Sequence, residues 1–321
     1  MRRAAAALFL VVLAPWPVLA DETVRIGDLP AISNAGIYVA IEQGFFKEKG
    51  IVVESERFAS GAKMIAPLAT GQLDVAIGTP SAALYNSIAS GMDFRIVADK
   101  GQQRLGYSFV PLVVRKDLWE SGRVRSVKDL KGLKVASGAK GINLDYFLAK
   151  TLEHAGLAFD SIDMTYLAYP DVLRALAAKA VDAAIAPEPW GVRAEEQKVG
   201  VRAFLTEQVP AIATFQVAVV MYSGRFIKER PKVARDFLQA YVRGVKWYGE
   251  RGLRDAEVAA ILAKHTQVPP ETIKATIPFY IDPAARPRAQ DIATFQDWFH
   301  QMGWVKEKAA MERVVDLSFL E

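Results

Sequence analysis

The segments LATGQLDVAIGTP (residues 68–80) and LAAKAVDAAIAPEP (residues 176–189) begin 108 residues apart and share one build. Each runs from a helix end through a turn into a short apolar strand opened by Asp, and then into a new helix start. The correspondence extends outward. Strands are expected at residues 24–28, 52–57, 74–78 and 94–98, and again at 134–137, 164–167 and 182–186, so the second set matches the first three in order and spacing. Between the first two strands of each set a helix ends in Gly, at Gly50 in FFKEKGI and Gly156 in LEHAGL, as a left-handed C-cap favours. The strands Val75-Ala76-Ile77 and Ala183-Ala184-Ile185 show no polar alternation, as expected where helices cover both faces of a parallel sheet. Asp74 and Asp182, at the strand entrances, read as turn caps. A βαβαβ unit written twice confines the chain to the α/β class, with two mainly parallel sheets flanked by helices.

Two further apolar runs flank the second unit, SFVPLVVRKD (residues 108–117) and TFQVAVVMYS (residues 214–223). They read as outward and return crossings between two lobes, with a hinge formed from both. On this reading lobe 1 comprises residues 21–110 and 219–321, and lobe 2, residues 111–218, is inserted into it. Beyond the return crossing, helices are expected at residues 231–248, 255–265, 270–277, 289–302 and 306–316, packed on lobe 1.

Residues 1–20 have the build of a secretory signal peptide: Arg2 and Arg3, an apolar run over residues 4–14, and Val18-Leu19-Ala20 before Asp21. Removing them lowers the net charge from +4 to +2, with 38 basic residues against 36 acidic. A balance so near neutral argues against a nucleic-acid partner. The chain has no Cys, which excludes disulfides, thiolate metal sites and a lipid-anchoring Cys after the leader. An exported protein that rests on its core, without lipid anchor, is expected. About 300 remaining residues at 51% apolar are ample for that.

In open parallel sheets ligands bind beyond the carboxyl ends of the strands, where helix N-termini gather. Thr79 reads as an N-cap, with Pro80 at the first helical position and free N–H groups at Ser81 and Ala82 facing a cleft. Ser60 and Gly61 mark a second helix start, and Gly138, Lys140, Gly141 and Asn143 a third, in the other lobe. Facing N-termini from both lobes suit an acidic group. Pro67 is a local misfit inside the helix after Ser60. Glu188 stands before Pro189 as Thr79 stands before Pro80, and reads either as a helix-start carboxylate held by the dipole or as an acceptor for a ligand N–H. Trp190 offers a stacking face or a core ring. Ser33 and Asn34 could supply neutral hydrogen bonds. His154, His265 and His300 fall in expected helices away from the strand ends, and no catalytic constellation, metal spacing or cofactor motif is apparent.

The segments GFFKEKGI, LATGQLDVAIGTP, IVADKG, LVVRKDL, VKDLKGLKVA and EPW together resemble the nitrate, sulfonate and taurine group of periplasmic substrate-binding proteins of ABC importers. That group also includes binders of pyrimidine thiamine precursors. The resemblance covers nearly all of the chain after residue 20. It implies the two-lobed type II periplasmic-binding-protein fold, a monomer with a small-molecule ligand between the lobes, and docking on a membrane permease with its ATPase. It also implies that Asn34, residues 60–61 and 79–81, Gly138 to Asn143 and Glu188 lie near the ligand. Two other functions share the fold: a pyrimidine-precursor-synthase-like enzyme, and a sensor that presents its closed form to a signalling partner. The ligand expected from these residues is a small organic solute, either bearing both an acidic end and an N–H donor or an aromatic heterocycle.

Overall fold

The computed structural model describes residues 21–58 and 61–321; the expected signal peptide and Ser60 lie outside these. The doubled unit becomes two five-stranded sheets. The first contains β1 (Glu22–Asp28), β2 (Ile51–Arg57), β3 (Val75–Gly78), β4 (Phe94–Gln103) and β10 (Phe215–Ser223), in the order β2-β1-β3-β10-β4. The second contains β5 (Pro111–Arg115), β6 (Lys134–Ser137), β7 (Asp163–Tyr166), β8 (Ala183–Ile185) and β9 (Gly200–Leu205), in the order β7-β6-β8-β5-β9. The repeated strands occupy equivalent places: β1 lies between β2 and β3, and β6 between β7 and β8, all parallel. Gly50 and Gly156 adopt φ of 66° and 75°, the left-handed conformation their positions call for.

The repeated Asp has a structural task at both sites. Asp74 accepts the Arg25 amide at 2.9 Å and pairs with Arg230 at 2.5 Å. Asp182 accepts the Lys134 amide at 3.0 Å and pairs with Arg115 at 2.8 Å. Each carboxylate therefore clamps the entrance of its own strand to the neighbouring one, at Arg25 within β1 and at Lys134 at the start of β6, which is more than turn capping.

The two runs read as crossings are interior strands. β5 runs antiparallel between β8 and β9, and β10 antiparallel between β3 and β4. All nine residues of β10 are buried, because a strand with no polar face has nowhere but a sheet interior to go. The links between sheets are residues 104–110 and 206–214. They are tied together by buried polar groups: Thr206 Oγ1 lies 2.6 Å from Gln103 Oε1 and 2.8 Å from the Val110 carbonyl, and Gln103 Nε2 donates to the Ile212 carbonyl at 2.7 Å.

The C-terminal helices begin with the long Pro231–Arg251, which lies on Ala35–Glu42 so closely that a Cβ on Gly244 would stand 2.1 Å from the Gly36 carbonyl oxygen. They do not all stay on the first sheet. Helix Ala289–Gln301 packs Phe295 and Trp298 against Tyr146 of helix Asn143–His154, with ring centroids 5.4 and 5.6 Å apart. The last expected helix shrinks to Met311–Val314. The Gln296 side chain bonds both the amide and the carbonyl of Ala309, and Asn86 takes the Lys306 amide, which holds the preceding residues extended.

Candidate functional site: a cavity between the two sheets

The carboxyl ends of all six parallel strands converge on one cavity of about 350 Å³. In the first sheet, Leu29, Pro30, Ala31 and Ser33 follow β1, Arg57 ends β2 with Phe58 and Gly61 beyond it, and Gly78 and Thr79 close β3. Across from them, Gly138, Ala139, Ile142 and Leu144 follow β6, Ala168 to Pro170 follow β7, and Pro187 to Trp190 follow β8. Lys100 of β4, Val217 and Ala218 of β10, and Phe109 complete the lining. The wall is mainly apolar and aromatic, with Tyr169 and Trp190 stacked at 6.3 Å between centroids and 24° between planes. Such a size lies at the small end of the usual range for small-molecule sites.

Of the residues singled out from sequence, Ser33, Gly61, Thr79, Gly138, Glu188 and Trp190 line the cavity, while Asn34, Pro80, Ser81, Lys140 and Asn143 do not. Asn34 is wholly buried one layer behind: its Nδ2 donates to Asp28 Oδ1 at 2.7 Å and the Leu29 carbonyl at 3.0 Å, and its Oδ1 accepts Lys100 Nζ at 2.5 Å. Lys140 points away, its Nζ 5.6 Å from the centre of the Trp304 ring. Asn143 donates to the Val217 carbonyl at 2.6 Å.

Amides expected to be free at the helix starts after β3 and β6 have protein partners. The helix after β3 is Ala82–Ala89 and its N-cap is Ser81, whose hydroxyl accepts the Leu84 amide; Thr79 stands two residues earlier. The Ala82 amide donates to the Gly141 carbonyl at 2.8 Å and the Asn143 amide to the Pro80 carbonyl at 3.2 Å, forming a two-bond bridge between the sheets. Backbone donors with protein acceptors have no need of an anion.

Glu188 corrects the second expectation. Its side chain is fully buried, Oε1 lies 2.6 Å from Arg202 Nη1, and Oε2 accepts the Val192 amide at 3.0 Å. Burial pushes its carboxyl upward, and the Arg202 guanidinium opposes this. Both oxygens are committed to the protein, so Glu188 is a helix-start and ion-pair residue on the wall.

Sequence reasoning missed Lys100 and Tyr169. Lys100 is 3% exposed and burial pulls its ammonium down to about 8, against the opposing charges of Asp28 and Asp99. The signal was a charged Asp-Lys pair continuing an apolar strand in IVADKG. Tyr169 covers Gly138, where a Cβ would come within 2.5 Å of the Tyr169 hydroxyl. It follows β7 as the 58–61 stretch follows β2, so the repeat itself pointed there. Among the described residues, no group of three or more His, Asp or Glu side chains is placed to hold a metal ion.

Two mainly parallel sheets, joined by two links and enclosing a cavity at their strand ends, define the two-lobed periplasmic-binding-protein fold. The solved structures agree. The alkanesulfonate-binding protein SsuA from Xanthomonas axonopodis pv. citri, bound to MOPS, superposes with a TM-score of 0.72 at 20% identity, covering 92% of this chain and 99% of that one. The nitrate-binding protein NrtA from Synechocystis PCC 6803 gives 0.77 at 18% identity, with 92% and 86% covered. The desulfurization enzyme DSZB gives 0.64 at 16% identity, with 93% and 97% covered. The model of the NMT1-like family matches residues 19–263, and the chain belongs to that family. No curated protein matches the sequence significantly.

Proposed function

We propose that the protein is the periplasmic solute-binding component of an ABC importer, which captures a small organic solute between its lobes and delivers it to a membrane permease. The observation that carries this reading is the convergence of six strand ends from two sheets on one cavity. A wall divided equally between two bodies is completed only when they approach each other. The lobes are the two sheets with their helices, and the hinge is the pair of links 104–110 and 206–214. The ligand-binding residues are Ser33, Gly61, Thr79, Gly138 and Trp190, joined by Lys100 and Tyr169; Glu188 supports the wall through Arg202. The build of residues 1–20 supports export to the periplasm. The kinship to sulfonate- and nitrate-binding folds supports transport. The enzyme among the similar structures makes catalysis the rival, but the one carboxylate on the wall is tied to Arg202 and the Val192 amide rather than poised as a base.

Small-angle scattering of the purified protein, with and without a panel of sulfonates, carboxylates, pyrimidines and nitrate, is the test. Binding is expected to reduce the radius of gyration while the solute is recovered unchanged. Chemical conversion of the bound solute, or binding with no compaction, would sink the reading.

A further inference from the structure

The cavity lining holds two cations, Lys100 and Arg57, and a single carboxylate, Glu188. Arg202 and the Val192 amide already occupy that carboxylate, and Arg57 donates to the His265 carbonyl at 2.9 Å. Arg57 is exposed, so water can serve its remaining donors, and Lys100 is the buried group left incomplete. An ammonium carries three N–H donors, and among the described residues the hydrogen bond Lys100 makes is the one to Asn34 Oδ1. Asn34 cannot turn away, because its amide group is held by Asp28, the Leu29 carbonyl and Tyr38. The network thus aims a nine-tenths-buried cation with spare donors at an otherwise apolar space. A buried donor without an acceptor is costly, and bonds from a charged group are the stronger kind.

The rest of the wall states what else must fit. Phe58, Phe109, Tyr169 and Trp190 supply ring faces, while Pro170 and Pro187 supply surface without donors. Arg193 lies over the Trp190 ring, 5.0 Å from its centre. No unpaired carboxylate lines the space for a ligand amine.

Building on the solute-capture reading, we propose that the ligand is an aromatic monoanion, an arene carboxylate or sulfonate. Its acid group takes the free donors of Lys100, and its ring lies against the Tyr169 and Trp190 wall. This replaces the expectation of an N–H donor paired with Glu188.

The test is calorimetric titration of the purified protein with a near-isosteric series: benzoate, benzamide and benzylamine, with benzenesulfonate as a second anion. The acids should bind about 10- to 100-fold more tightly than the amide, as one charge-assisted bond implies, and the amine should not bind. Lys100→Met should erase the preference for acid over amide while leaving the melting temperature within a few degrees of wild type. Lys100→Arg, which keeps the charge, should retain it in part. The assignment is overturned if the amide or amine matches the acids, if Lys100→Met still prefers the acid, or if none of the four binds. Failure of the underlying reading looks different. An amine or amide that binds and compacts the protein keeps solute capture and removes only the anion assignment, whereas an acid that binds without compaction, or is consumed, removes solute capture instead.

Discussion

Glu188 and Lys100 sit on opposite walls of one cavity and differ in what remains unmet around them. Glu188 is saturated by Arg202, which itself is shared with Glu195 at 2.7 Å. Removing Arg202 would strand a fully buried carboxylate, so Arg202→Ala should lower stability by on the order of 3 kcal/mol, and Glu188→Gln by less, since it removes the charge along with the need for a partner. Chemical denaturation of both variants checks the order; a larger loss for Glu188→Gln would return Glu188 to a ligand role. Lys100 is unsaturated, and its titration should be visible in binding. Asp28 and Asp99 face it from β1 and its own strand, Tyr38 stands behind Asn34, and Arg57 shares the cavity. An anion binds the protonated form, which burial makes persist only to about 8 in the free protein. Burial raises Asp99 to about 7, so affinity for an arene acid should be greatest near pH 6 and decline as pH rises through both groups, falling up to about tenfold per unit above about 8. A flat profile to pH 10 would remove Lys100 from the contact. The Lys100 environment was illegible in sequence because Lys100 lies 66 residues from Asn34 and reaches it and its neighbour Asp28 only after β1 and β4 enter the same sheet.

At the scale of elements, the strand assignments held because buried parallel strands are short, apolar and punctuated by turn residues, so their neighbours in sequence suffice to mark them. The Ala35–Glu42 and Pro231–Arg251 pair shows the complementary case. The apolar stripe of the long helix announced a helix, but Gly36 and Gly244 carried no local message. Their meaning is the close approach of two backbones. Gly244→Ala would place a Cβ 2.1 Å from the Gly36 carbonyl oxygen and 3.0 Å from the Ala40 Cβ. It should cost about 1 to 3 kcal/mol or more through forced separation of the helices. Thermal melting checks this, with Gly249→Ala on the same helix, where nothing lies within 4 Å of a Cβ, as a variant of unchanged or slightly raised stability. The helix starts at Ala82 and Asn143 show the reverse: both starts were legible, the first with its cap read two positions early at Thr79, yet which acceptor each amide meets was a matter of the opposite sheet's loop.

For the molecule as a whole, one hydrophobic cluster contains residues of both sheets, from Val24 and Ile77 to Val135 and Phe147, and a small second cluster around Val172, Leu173 and Leu176 sits beneath it. Tyr146, Phe295, Trp298 and Trp304 seal the junction with edge-on ring contacts. Calorimetric unfolding should accordingly show one transition with equal van't Hoff and calorimetric enthalpies; two resolved transitions would mean that the lobes hold separate cores. The doubled unit, the α/β class, seven of the ten strands and the strand ends at which a ligand would sit were legible in the sequence, because these follow from periodicity, turn chemistry and burial within short windows. Only the tertiary structure decided that the apolar crossings become interior strands, that the helix-start amides bond across the sheets, that Glu188 is consumed by Arg202, and that Lys100 is left facing the cavity. Those outcomes depend on which polar groups find partners from distant parts of the chain, and hydrogen-bond satisfaction in a buried space is a property of the assembled whole.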